Sequence, residues 1–113
     1  MKITIEGVGM ELSPSVRAYI SLKFELFQKF LKRFEGDGEL TLYIEVVRTT
    51  RHHQKGEIYE VVAGVRMPKK SIRVAESAED VYIATDKAKN VLRGEIEKYK
   101  EKMTNSKKTR EGK

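Results

Sequence analysis

The spacing of apolar residues changes repeatedly along this chain, and each change marks an element. Residues 2–8, KITIEGV, alternate. The alternation predicts a half-buried strand with Ile3, Ile5 and Val8 turned one way and Lys2, Thr4 and Glu6 the other. Ser13 and Pro14 then supply an N-cap and a first helical residue whose missing amide hydrogen is harmless there. From that start Val16, Tyr19, Ile20, Phe24, Phe27, Phe30, Leu31 and Phe34 fall in one broad arc, with Arg17, Ser21, Glu25, Gln28 and Lys32 opposite. This arc predicts a helix packed on a sheet. Lys23 lies inside it, where a buried ammonium is costly. Either its stem follows the core edge while the head reaches water, or the arc runs past the sheet and presents Lys23 to a ligand.

EGDGE at 35–39 breaks the helical pattern, and LTLYIEVVR resumes alternation with Leu40, Leu42, Ile44 and Val46 against Thr41, Tyr43 and Glu45. After TTRHHQKGE comes a further strand pattern, IYEVVAGVRM. PKKS then turns the chain into SIRVA, where Ile72 and Val74 face inward and Arg73 outward. These last three strands read as an antiparallel meander. Ser77 stands as the N-cap of a final helix over residues 77–103, with Glu79 and Asp80 set against its dipole. Val81, Ala84, Ala88, Leu92, Ile96, Tyr99 and Met103 form its core stripe. The predicted fold is α+β in the order β-α-β-β-β-α, a four-stranded sheet with two helices packed on one face, the economical way to bury both stripes. One domain spans residues 1–103, and a basic tail over 104–113 is expected to be unstructured.

Composition narrows the class. A length of 113 residues suits one two-layer core, and 39% hydrophobic with 35% charged residues describes a folded protein with a heavily charged surface. The absence of cysteine removes disulfides, thiolate metal sites and cysteine nucleophiles. The N-terminus shows no signal-like apolar run and nothing is long enough to span a membrane, so the expectation is a cytoplasmic protein without a membrane partner. The net charge is +6, and residues 98–113 hold seven Lys or Arg against two Glu. Nearly all the excess is therefore at one end, which points to a polyanion.

Catalytic chemistry has little to work with. The two histidines, His52 and His53, are neighbours that point apart on a strand, with no aspartate or cysteine partner at ligand spacing. A phosphate-cradling glycine loop is also missing, since GVGME has only two glycines. The sequence thus predicts no catalytic residue, metal, cofactor or small-molecule substrate. Basic residues instead gather in four places: the first helix (Arg17, Lys23, Lys29, Lys32, Arg33), the 48–56 connection (Arg48, Arg51, Lys55), the last hairpin (Arg66, Lys69, Lys70, Arg73) and the final helix with its tail. On the final helix Lys89, Arg93 and Lys100 share a flank with Tyr82, while Lys87, Lys98 and Lys102 occupy the other. Any one of these suits an ordinary solvated surface; the ensemble suits phosphate contact.

KITIEGVGMELSPSVRAYI, RHHQKGEIYEVVAGVRMP and above all AEDVYIATDKAKNVL followed by KYKEK resemble the ribosome hibernation factors, the sigma-54 modulation protein family. That family comprises the short hibernation-promoting factor and the ribosome-associated inhibitor, and the likeness runs from about residue 2 to residue 102. It implies a β-α-β-β-β-α domain lodged in the small ribosomal subunit at the decoding centre, against its rRNA. There it would block the mRNA and tRNA sites sterically under stress or in stationary phase. Arg17 and Lys23 match basic positions of the family's first helix, Tyr82 and Asp86 match its YxAxD pattern as packing residues, and Lys98, Lys100 and Lys102 match its lysine-rich helix end. Leu26 and the stretch Val91 to Glu95 depart from it, where the family usually carries cations, and Lys87, Lys89 and Arg93 stand in from neighbouring turns. Gly94, inside the helix, has no explanation in the sequence.

The RNA-binding candidates are Arg17, Lys23, Lys29, Arg51, Lys87, Lys89, Arg93, Lys98, Lys100 and Lys102. Long relatives add a dimerisation domain for which 113 residues leave no room, so the resemblance implies the short form; whether ribosome pairing is promoted or opposed stays open. A free double-stranded RNA-binding module is the alternative reading.

Overall fold

Six elements follow one another in a computed structural model of the chain: β1 (Lys2–Val8), α1 (Pro14–Leu31), β2 (Thr41–Thr50), β3 (Glu57–Arg66), β4 (Ser71–Ala78) and α2 (Val81–Glu111). The structure describes residues 1–32, 39–50, 57–67 and 70–111; the side chains of Thr50, Glu57 and residues 103–111 fall outside it. The sheet order is β1-β2-β3-β4, with β1 parallel to β2 and the other two pairings antiparallel. A parallel pair needs a long crossover, and α1 supplies it. The expected β-α-β-β-β-α order and the antiparallel meander are both present.

Both helices lie on one face. Ile20, Phe24, Phe27 and Leu31 of α1 pack with Ala84, Ala88, Leu92 and Ile96 of α2 against Leu42, Ile44, Val46, Val61, Ala63, Val65 and Ile72. Burying each of the larger of these side chains is worth about 1.5–3 kcal/mol, so this layer is what holds helices to sheet. The one buried polar side chain among the described residues, Thr85, is satisfied because its hydroxyl donates to the Val81 carbonyl at 2.8 Å. Start signals also behave as read: the Ser13 side chain accepts from the Val16 amide at 3.2 Å, and Pro14 opens α1.

Three boundaries differ from the sequence reading. Val8 lies on the opposite face from Ile3 and Ile5 and is 44% exposed, since β1 runs unbroken in register to Val47 and the period of two puts Gly7 on the inner side. Ser77 is not the cap of α2, because β4 keeps pairing through Ala78 and Ser77 stands opposite Glu60. Asp80 caps instead: its carboxylate accepts from the amides of Tyr82 (2.7 Å) and Ile83 (3.4 Å), and its carbonyl accepts from Ala84. Finally, α2 continues to Glu111 where an unstructured tail was expected after 103. Residues 95–111 contain neither glycine nor proline to stop it. The helix break near EGDG, Phe34 and the His52/His53 pair lie outside the described residues.

Candidate nucleic-acid interface

The helices run side by side in the same direction, since Tyr19 meets Tyr82, Lys23 meets Asp86 and Phe30 meets Arg93 in step. At the N-terminal end of this seam, Tyr19 and Tyr82 stack edge to face with centroids 4.7 Å apart, and the Tyr19 hydroxyl donates to Asp86 at 2.9 Å. Burial and that hydrogen bond hold the Tyr19 hydroxyl above its usual range, so it remains a donor across neutral pH. Lys23 closes the arrangement from α1, 3.8 Å from Asp86 and 5.3 Å from the Tyr19 ring centroid. Of the two readings of Lys23, the core-edge one describes its stem and the internal partners occupy its head. Tyr82 and Asp86 act here in helix placement, as the resemblance implied.

Further along the seam Arg93 lies 5.3 Å from the Phe30 ring and 3.3 Å from Glu97. Lys89, one turn before it, is half-buried. Beyond the core the pattern opens. Lys98, Lys100 and Lys102 are all exposed, and Lys98 reaches Glu95 at 3.6 Å, an i, i+3 pair open to solvent and therefore weak. A cleft of about 410 Å³ separates this end of α2 from the start of β4, where Lys70, Lys98 and Lys102 converge with Glu95 and Glu101 beside Ile72 and Tyr99. The sequence groups Lys70 with the last hairpin, apart from the α2 lysines. Only the β4 register and the helix crossing bring it to Lys98, and neither has a local signal.

Other candidates are dispersed. Arg17 points to the free side of β1, where its guanidinium donates to the Ile5 carbonyl at 3.0 Å beside Glu6 and Glu11. Lys87 sits at the opposite edge of the sheet, its ammonium 3.4 Å from the Ser77 carbonyl. Lys29 is exposed on α1 away from the seam, and Arg51 lies outside the described residues. The structure therefore brings together Lys23, Lys89 and Arg93 along the seam and, on the β4 side of α2, Lys98 and Lys102 with Lys70, leaving Arg17 and Lys87 apart. Leu22 and Leu26 are 63% and 70% exposed on the outer side of α1, so Leu26, which departs from the pattern the resemblance implies, is a bare apolar position. Among the described residues no group of three His, Cys, Asp or Glu side chains is placed to hold a metal ion.

The profile of the family described as Sigma 54 modulation protein / S30EA ribosomal protein matches residues 3–104. This chain belongs to that family. Two curated relatives, from Lactococcus lactis subsp. cremoris and Deinococcus radiodurans, are each called ribosome hibernation promotion factor. They are 28% identical over 105 residues and 26% over 96, covering 91% and 85% of this chain but 51% and 47% of their own lengths. The chain thus spans about half the length of the curated relatives it matches. Among solved structures it is similar to the N-terminal domain of Thermus thermophilus Protein Y, with a TM-score of 0.64, 24% identity and coverage of 88% of this chain and 99% of that one. It is also similar to a ribosomal subunit interface protein from Coxiella burnetii, with a TM-score of 0.62, 21% identity and coverage of 88% and 98%. At these identities the likeness to the solved structures is one of fold. No described helix is long and apolar enough to cross a membrane.

Proposed function

We propose that this S30EA-family chain is a ribosome hibernation factor of the cytoplasm that binds the small ribosomal subunit near the decoding centre, against its rRNA. It blocks the mRNA and tRNA sites sterically under stress or in stationary phase. The observation carrying this reading is the family match over residues 3–104, together with a net charge of +6 concentrated at the end of α2. Exposed cations on a folded surface need no base readout, because folded RNA is recognised largely through shape, phosphates and 2′-hydroxyls. No bond is made or broken in this function, and no catalytic group or cofactor is required. The chain's contribution is a preformed two-helix wedge and its charge.

Sedimentation of the purified protein with isolated subunits and whole ribosomes at moderate salt tests it. The protein is expected to pellet with the small subunit and to inhibit translation in a cell-free system. If it stays in the supernatant while binding naked duplex RNA tightly, the free double-stranded RNA-binding reading replaces this one.

A further inference from the structure

The face of the sheet turned away from α1 and α2 has a charge pattern of its own. Strand register arranges its outward side chains in rows. The first row carries Lys2 on β1 and Arg66 on β3; the next carries Tyr43 on β2 and Arg73 on β4, with Gly64 between them. The following two rows hold Glu6, Glu45 and Glu60 and no cation. One half of the open face is basic and aromatic, the other acidic.

Within the basic half the side chains are organised. Tyr43 lies directly over Gly64, so closely that a Cβ there would overlap its ring. The Arg66 guanidinium sits over the same ring, 4.7 Å from its centroid. Arg66, Arg73 and Lys2 are exposed, and among the described residues no carboxylate pairs with any of them. Neighbouring strands are about 4.8 Å apart, which puts the Lys2 and Arg66 backbones roughly 10 Å from each other across Thr41, with Tyr43 in the adjacent row.

We propose that this half of the open sheet is a second nucleic-acid site, which takes one or two unstacked nucleotides of single-stranded RNA. A base stacks on the Arg66 and Tyr43 pair, and the flanking phosphates meet Lys2 and Arg73. Planar guanidinium and aromatic groups bind the faces of bases, and those faces are available only where the RNA is single-stranded. The site is short because Glu6, Glu45 and Glu60 repel further phosphates. A second copy of this chain laid face to face, basic rows on acidic rows, would also match locally. However, two chains of net charge +6 repel each other, whereas RNA is drawn in. The inference rests on the reading of the protein as an RNA binder but uses none of the helical lysines.

The test measures anisotropy of a fluorescein-labelled oligouridine of about eight nucleotides with the full chain. Arg66→Glu/Arg73→Glu is expected to weaken binding about tenfold or more. Gly64→Ala, which displaces the Tyr43 ring without changing charge, is expected to weaken it several-fold and leave the salt slope unchanged. Tyr43→Leu repeats that loss in case the alanine variant fails to fold, with thermal melting as the check. Lys98→Glu/Lys100→Glu/Lys102→Glu serves as the helical comparison and is expected to cost less than the sheet variant. Oligonucleotide binding that ignores the sheet substitutions, or falls equally in both sets, overturns the proposal. So does a dimer in sedimentation velocity that Arg66→Glu/Arg73→Glu abolishes in a chain that does not bind the oligonucleotide. A wild-type chain that binds the oligonucleotide but not ribosomes rejects the hibernation reading alone; one that binds ribosomes but not the oligonucleotide rejects this inference alone.

Discussion

The surroundings of the two ends of α2 carry similar cations in opposite circumstances. Near the start of α2, Lys23 is held by Asp86 and the Tyr19 ring, inside a cluster that includes Tyr82. Past the core, Lys98 and Lys102 project around an open cleft with Lys70, and the nearest carboxylates are solvent-exposed. The first end spends its charge on fixing one helix against the other. The second keeps it available. Counting lysines along a sequence therefore overstates a binding surface wherever the helices use their cations on each other, and the difference between the ends is open to experiment.

The largest expected effect is at the open end. Lys98→Glu/Lys100→Glu/Lys102→Glu should weaken ribosome association by about one to two orders of magnitude and flatten its salt dependence, while the thermal transition stays nearly unmoved. Unchanged sedimentation would move the interface elsewhere. At the closed end, Asp86→Ala should cost about 1 kcal/mol of stability, discounted because the Lys23 pair is partly exposed, and urea unfolding reads it directly. The same change releases Lys23, so ribosome affinity should hold or rise; a large loss would mean that the seam itself touches RNA.

Asp80→Ala, which removes the cap before the seam, should cost about 1 kcal/mol in the same assay, whereas Ser77→Ala should cost almost nothing. The smallest effect concerns Gly94, midway between the two ends, where a Cβ would meet nothing within 4 Å. Gly94→Ala should stabilise the chain by up to about 1 kcal/mol. If ribosome binding falls while stability rises, the backbone there lies against the partner, and the binding region extends back from the open end.

Elements whose signal is local were legible in the sequence. Strand alternation, the helical arcs and the Ser13 Pro14 start are written in neighbouring residues, and the core positions followed from them. What failed were choices between adjacent options. Ser77 and Asp80 are both good caps, and only cross-strand pairing with Glu60, supplied by a distant residue, keeps Ser77 in β4. Val8 is hydrophobic enough to suggest the inner face, but its parity along β1 puts it outside. The candidate site was readable only in part, because charge is visible in sequence while partners are not. Nothing near Lys23 announces that Asp86, 63 residues later, will take it, and nothing near Lys70 announces Lys98 and Lys102.

Arg17 and Lys87 have a consequence unrelated to RNA. The sheet ends in two edge strands, β1 and β4, and the unpaired side of an edge strand offers backbone groups to any extended chain that drifts past. Arg17 occupies the Ile5 carbonyl on one and Lys87 reaches the Ser77 carbonyl on the other. Each helix thus lends a charged side chain to the border nearest it. A second polypeptide that tried to extend the sheet would have to displace that cation and bring its own strand against a positive charge, so growth of the sheet from chain to chain is opposed at both borders.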